Sequence, residues 1–73
     1  MIIYTNRGCQ HCVNLKAELK EKGISFKEMD VNENFDAALA VSSNVGGDTK
    51  LPLVDCEDGR FFSQPSIEDL LPV

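Results

Sequence analysis

The chain has 73 residues, 26% of them charged and 42% apolar, and a net charge of −5 at pH 7 carried by scattered acidic residues. That length makes one domain, residues 1–73, burying about 60% of its unfolded surface, and the apolar share argues for a packed globule over a disordered chain. The charge excludes a nucleic-acid surface, which needs a basic stripe, and no apolar run approaches the length that crosses a bilayer.

No basic-then-apolar leader opens the sequence, which places the protein in the cytoplasm by expectation. In that reducing compartment three cysteines make a poor structural disulfide frame, so a close pair points to redox or metal chemistry.

Met1 to Thr5 reads as a short, largely buried strand, apolar at first and rich in β-branched residues. From about Gln10 to Lys22 the pattern turns helical. Cys12, Leu15, Lys16 and Leu19 share one face with Val13 at its flank, cations gather toward the C-terminal end, and Gly23 supplies a left-handed stop. Ile24 to Val31 is expected as a second strand. Its apolar positions switch parity between Phe26 and Met29, which requires either a bulge or cover on both faces.

Asn32 or Asn34 then caps a helix through Phe35, Ala38, Leu39 and Ser42, ending near Asn44 before Gly46-Gly47. Those glycines read as a connection rather than a phosphate cradle, because no Gly-Lys-Ser/Thr follows. Leu51 to Cys56 and Arg60 to Ser63 are short apolar runs joined by Glu57-Asp58-Gly59, a hairpin signal. Pro65 to Leu71 forms a last helix, with Ser66 as N-cap, Asp69 three residues on, and Pro72 as its stop. The order β-α-β-α-β-β-α demands a parallel pair at the front and an antiparallel hairpin at the back. The fold class is therefore α/β, a mixed four-stranded sheet with helices on both faces.

The chemistry lies in Tyr4-Thr5-Asn6-Arg7-Gly8-Cys9-Gln10-His11-Cys12, where the first strand gives way to the first helix. A helix beginning at or just after Cys9 puts Cys12 one turn along on the same face, within disulfide reach. The free N–H groups and positive dipole end stabilise an anion, which makes Cys9 the attacking thiolate and Cys12 the resolving thiol. His11, when cationic, would stabilise that thiolate, its plain alternative being a solvent-facing residue. Arg7 could fork onto a carboxylate of a partner, or stand as a solvated cation, and Lys50 reads the same way more weakly. Ser66 is first a cap and second an anion contact. Cys56, away from the motif, reads as a small buried hydrophobe.

A C-x-x-C opening the first helix of such a unit is the redox motif of the thioredoxin superfamily. The chain resembles a glutaredoxin over nearly all its length: Tyr4 to Cys12 matches the family's strand, basic residue and C-x-x-C, and Lys50-Leu51-Pro52 stands where the family has Thr-Val-Pro. The resemblance implies a thioredoxin-like fold, with Pro52 after a cis peptide bond and lying against the cysteine pair. It also implies that the Leu51 backbone is open to pair with a bound peptide or glutathione. Three departures stand out. Gln10-His11 replaces the usual Pro-Tyr, Ser63-Gln64-Pro65 replaces a Gly-Gly before the last helix, and Lys50 replaces a threonine. A short chain with these changes also resembles the glutaredoxin-like redoxins that are reduced by thioredoxin reductase and serve ribonucleotide reductase.

The expected activity is thiol–disulfide exchange on protein or glutathione mixed disulfides, by a monomer with no bound cofactor. Glutathione is then a co-substrate, or thioredoxin reductase is the electron donor. The rival is a metal carrier using the same cysteines. Small copper carriers place Met where Arg7 stands and follow a different element order, whereas an iron–sulfur cluster could be shared across a dimer, each subunit lending one thiolate.

Overall fold

Alternation along the two central strands sorts the core into two layers. In the computed structural model, which describes residues 1–70, the elements run β1 (Ile2–Thr5), α1 (Gln10–Glu21), β2 (Lys27–Asp30), α2 (Phe35–Asn44), β3 (Leu53–Asp55), β4 (Phe61–Ser63) and α3 (Ile67–Leu70). The sheet order is β2-β1-β3-β4. β1 and β2 are parallel, Ile2 opposite Lys27 and Thr5 opposite Asp30. β3 is antiparallel to both neighbours, with Tyr4 opposite Leu53 and Val54 opposite Phe62.

Successive strand residues point to opposite faces. Ile3 and Val54 pack with Leu15 and Leu19 of α1 and with Ile67 and Leu70 of α3. Tyr4 and Leu53 turn the other way, onto Ala38 and Val41 of α2. The mixed sheet with helices on both faces is the expected architecture, and it is thioredoxin-like.

α1 ends as Gly23 allows. At φ +72 this glycine adopts the left-handed conformation, its N–H donates to Lys20 O at 3.1 Å, and the Ile24 N–H donates to Leu19 O at 2.9 Å. That pair of bonds is the Schellman closure, and Ile24 completes it by packing on the cluster that contains Leu19.

Three expectations change. The second strand is Lys27–Asp30 rather than Ile24–Val31, and its register with β1 is unbroken, which removes the bulge. Ile24 and Phe26 pack toward α1 while Met29 and Val31 pack toward α2, so apolar residues on both sides explain the parity switch. Asn34 sits at the start of α2 but makes no side-chain cap bond. Its amide donates to Asp30 O, and that of Asn32 to Asn6 Oδ1. The hairpin strands are shorter than Leu51–Cys56 and Arg60–Ser63, because the Cys56 N–H already closes the turn on Arg60 O. The last helix covers Ile67–Leu70, the expected Leu71 and its Pro72 stop lying outside the described residues.

Candidate functional site

The bend between β1 and α1 places one sulfur at the helix start and a second in the protein. Gly8, at φ +77, takes the left-handed step that turns the chain. Cys9 is the N-cap of α1, extended at φ −83 and ψ 103, and its Sγ accepts the Cys12 N–H at 3.3 Å. A sulfur thus does what a Ser or Asp oxygen does at an ordinary cap, satisfying an N–H that the helix leaves unpaired. Asn6 anchors the approach: its C=O accepts the Cys9 N–H, and its Oδ1 accepts the Arg7 N–H and the Asn32 amide.

The two thiols differ in access. Cys9 is half-buried and Cys12 is 1% exposed, both free. Burial, with the hydrogen bond to the Cys9 sulfur next, pushes the Cys12 thiol up to about 12, against an opposing Asn6 backbone bond and the Lys16 charge. Cys12 is therefore held as a neutral donor beside an acceptor sulfur, and Cys9 is the sulfur an incoming group can reach.

A polar tie from β1 and β2 to α1 was not anticipated from the sequence. Glu28 Oε2 accepts from Lys16 Nζ at 2.7 Å and from Thr5 Oγ1 at 2.9 Å. The Lys16 bond first and the Thr5 bond second hold its carboxyl below the usual range. This joins α1, one turn beyond Cys12, to both parallel strands. Its signal was the parity of β2, which sends Glu28 to the same side as Phe26.

The sequence model described as Glutaredoxin matches residues 1–61. The chain belongs to the glutaredoxin family. A protein named as a glutaredoxin in Mycobacterium tuberculosis (strain H37Rv) is 34% identical over 70 residues, covering 96% of this chain and 83% of that protein. One from Synechocystis is 32% identical over 56 residues, 77% of this chain and 64% of its own length. Glutaredoxin 1 of Rickettsia bellii is 39% identical over 41 residues, 56% of this chain and 42% of its own.

Around the cysteines of this glutaredoxin the other expected residues fall into separate places. The Leu51–Pro52 bond is cis, as the resemblance implied, and Pro52 is fully buried. Pro52 shares a cleft with His11, Gln64 and Pro65, between α1 and the turn before α3. Gln64, within the stretch that replaces the Gly-Gly of the resemblance, occupies the left-handed conformation at φ +47, and its N–H donates to Pro52 O at 2.8 Å. Arg7 is exposed and lines a different, polar cleft with Lys16, Glu28 and Glu33. Lys50 is exposed, its N–H fixed by Asp48 and its C=O by Ser63 Oγ. Leu51 is half-buried and lines a third, apolar groove.

Ser66 is occupied as a cap. Its N–H and Oγ both donate to Asp69 Oδ2, at 3.0 and 3.2 Å. Cys56 is half-buried against the α1–α3 cluster, and burial pushes its thiol up, so it behaves as the small hydrophobe expected. Among the described residues no group of three or more His, Cys, Asp or Glu is placed to hold a metal ion. Cys9 and Cys12 alone offer two ligands of the four that a tetrahedral site takes. No helix among the described residues is long and apolar enough to cross a membrane.

Proposed function

We propose that the chain reduces disulfides of proteins, or of proteins joined to glutathione, with Cys9 as nucleophile and Cys12 as resolving thiol. The observation that carries this reading is the paired placement of the sulfurs: Cys9 Sγ at the start of α1, accepting an N–H, and a buried, protonated Cys12 one turn behind it. Of the two sulfurs Cys9 is the one a substrate can reach, and the thiolate is the form that attacks.

In the first step the Cys9 thiolate bonds to one sulfur of the substrate disulfide and the other sulfur leaves as a thiolate. Cys12 then gives up its proton and attacks Cys9 Sγ, which forms the Cys9–Cys12 disulfide and expels the second substrate thiolate. Two electrons pass from the dithiol to the substrate, and no bound prosthetic group is needed. Lys16, one turn beyond Cys12, favours the Cys12 anion as it forms. His11 and Pro52 border the cleft on one side of the pair. Among the described residues the Leu51 N–H and C=O enter no loop hydrogen bond, which leaves them open to a bound chain.

Arg7 and Lys50 are the cations available to a substrate carboxylate, and Ser66 is the least suited because its hydroxyl already serves the cap. Glutathione or thioredoxin reductase returns the electrons, in a reducing compartment such as the cytoplasm, to a monomer. The test is a pair of variants assayed with NADPH, either with glutathione and its reductase or with thioredoxin reductase. Cys9→Ser should lose every activity. Cys12→Ser should keep exchange on glutathionylated substrates and lose dithiol reduction, and loss of both in Cys12→Ser would overturn the assignment of roles.

A further inference from the structure

One carboxylate grips two elements beside the buried thiol. Glu28 Oε2, on β2, accepts from Thr5 Oγ1 at the end of β1 at 2.9 Å and from Lys16 Nζ on α1 at 2.7 Å. Thr5 is buried and Lys16 half-buried, whereas Glu28 is exposed. Both donors lie next to what Cys12 needs when it ionises. Thr5 precedes Asn6, whose backbone bonds to the Cys12 sulfur and favours its anion. Lys16 follows Cys12 by four residues, the spacing that puts two side chains on one helix face.

The second step of the exchange is the one that this arrangement serves. Cys12 is sealed and held neutral, so it must lose its proton inside the protein before it can attack. Of the charged groups around it, Lys16 favours the anion and the Cys9 sulfur opposes it. Arg7, Asp30 and Glu33 line the same cleft as the tie, Lys20 adds its charge at Glu28, and His11 and Glu18 line a separate cleft. A free lysine spreads its ammonium over many rotamers, and a carboxylate that binds it removes that freedom.

We propose that Glu28 is a positioning residue for the resolving step, holding Lys16 and Thr5 so that the ammonium and the Asn6 backbone stay on the side of Cys12 where its anion forms. The proposal rests on Cys12 being the resolving thiol and adds the groups that let it ionise. In that step Cys12 gives its proton to water and its thiolate bonds to Cys9 Sγ. The bond from Cys9 to the substrate sulfur breaks, and the electron pair leaves with the substrate thiolate. Glu28 takes no proton and acts only through the two groups it holds.

The test times both steps with one probe, the symmetrical disulfide of thionitrobenzoate, on the reduced Cys56→Ala chain. Attack by Cys9 expels one coloured thiolate at a rate that rises with probe concentration. Attack by Cys12 expels the second at a rate that does not, which tells the two apart. Glu28→Ala and Lys16→Met should each slow the second release relative to the first by about threefold at neutral pH, the size of one ion interaction at a part-exposed site. Each should also move the pH profile of that release to the alkaline side. Together they should slow it by less than the product of the two, because Glu28 acts partly through Lys16. Glu28→Gln keeps an acceptor oxygen and should recover most of the rate.

A second release that is unchanged or faster in Glu28→Ala would overturn the proposal. So would losses that multiply in the double variant, equal slowing of both releases, or a Glu28→Gln chain as slow as Glu28→Ala. A parent chain that gives the first release and no second would instead defeat the resolving role of Cys12, and no release at all would defeat the disulfide-exchange reading itself.

Discussion

The two faces of the sheet are made from neighbouring residues of the same strands, yet one is closed and the other is open. On the α1–α3 side, Ile3, Leu19 and Val54 are each 0% exposed and two helices share the cover. On the α2 side one helix covers Tyr4 and Leu53 and leaves Phe35 and Leu39 outside. Even the helix ends differ. α1 has a side-chain cap and a full glycine closure, whereas α2 has neither a side-chain cap bond nor a basic last turn. The closed face holds the helix that fixes the sulfurs, and rigidity there sets the distance between them. The open face leaves the apolar side chains of Phe35 and Leu39 uncovered. One small domain thus separates a filled side from an uncovered one.

The comparison breaks most readily in the core. Leu19→Ala should cost about 3 kcal/mol because a filled, closed site cannot collapse around the cavity. Leu39→Ala, chemically the same change on the open face, should stay within about 0.5 kcal/mol. Urea unfolding midpoints of the two variants measure the contrast, and equal losses would mean that the faces are packed alike.

A smaller effect appears at alkaline pH. The folded chain holds the Cys12 proton up to about 12, against an ordinary 9.0 once unfolded. The unfolded state therefore ionises first. The stabilisation from a neutral Cys12 is complete below 9.0 and is lost as pH climbs toward 12. Cys12→Ala should flatten the fall in melting temperature of the reduced protein above pH 9.0 relative to wild type. The Tyr4 hydroxyl and the Cys56 thiol, also pushed up by burial, leave a residual slope in both proteins. An unchanged slope would show that Cys12 titrates as freely folded as unfolded.

The smallest difference lies at α3, which brings Ile67 and Leu70 to the closed face. Asp69→Ala removes the acceptor of two Ser66 bonds and should cost about 1 kcal/mol, the usual size for a lost cap. Measured beside Leu19→Ala, it reports how far the closed face depends on its shortest helix.

What was legible beforehand follows the range of the interactions involved. Helix starts and stops, the hairpin and the Ser66–Asp69 cap depend on residues within a turn of one another, and each appeared close to where the pattern put it. The exceptions were positions that two layers compete for. The second strand lost Ile24 to Phe26 to the side of α1, and Asn34 turned its amide to Asp30 O instead of capping α2. Glu28 escaped notice because its partners, Thr5 and Lys16, lie 23 and 12 residues away.

The amino-acid order alone determined the succession of elements, the Cys9 and Cys12 spacing at a strand-to-helix junction, and the family to which that junction belongs. Only the folded chain decided that Cys12 is sealed while Cys9 stays within reach, that Leu51–Pro52 is cis, and that Phe35 and Leu39 remain uncovered. Periodicity tells which residues share a side of a helix or strand. Whether that side is covered depends on elements far along the chain and on the volume they can fill.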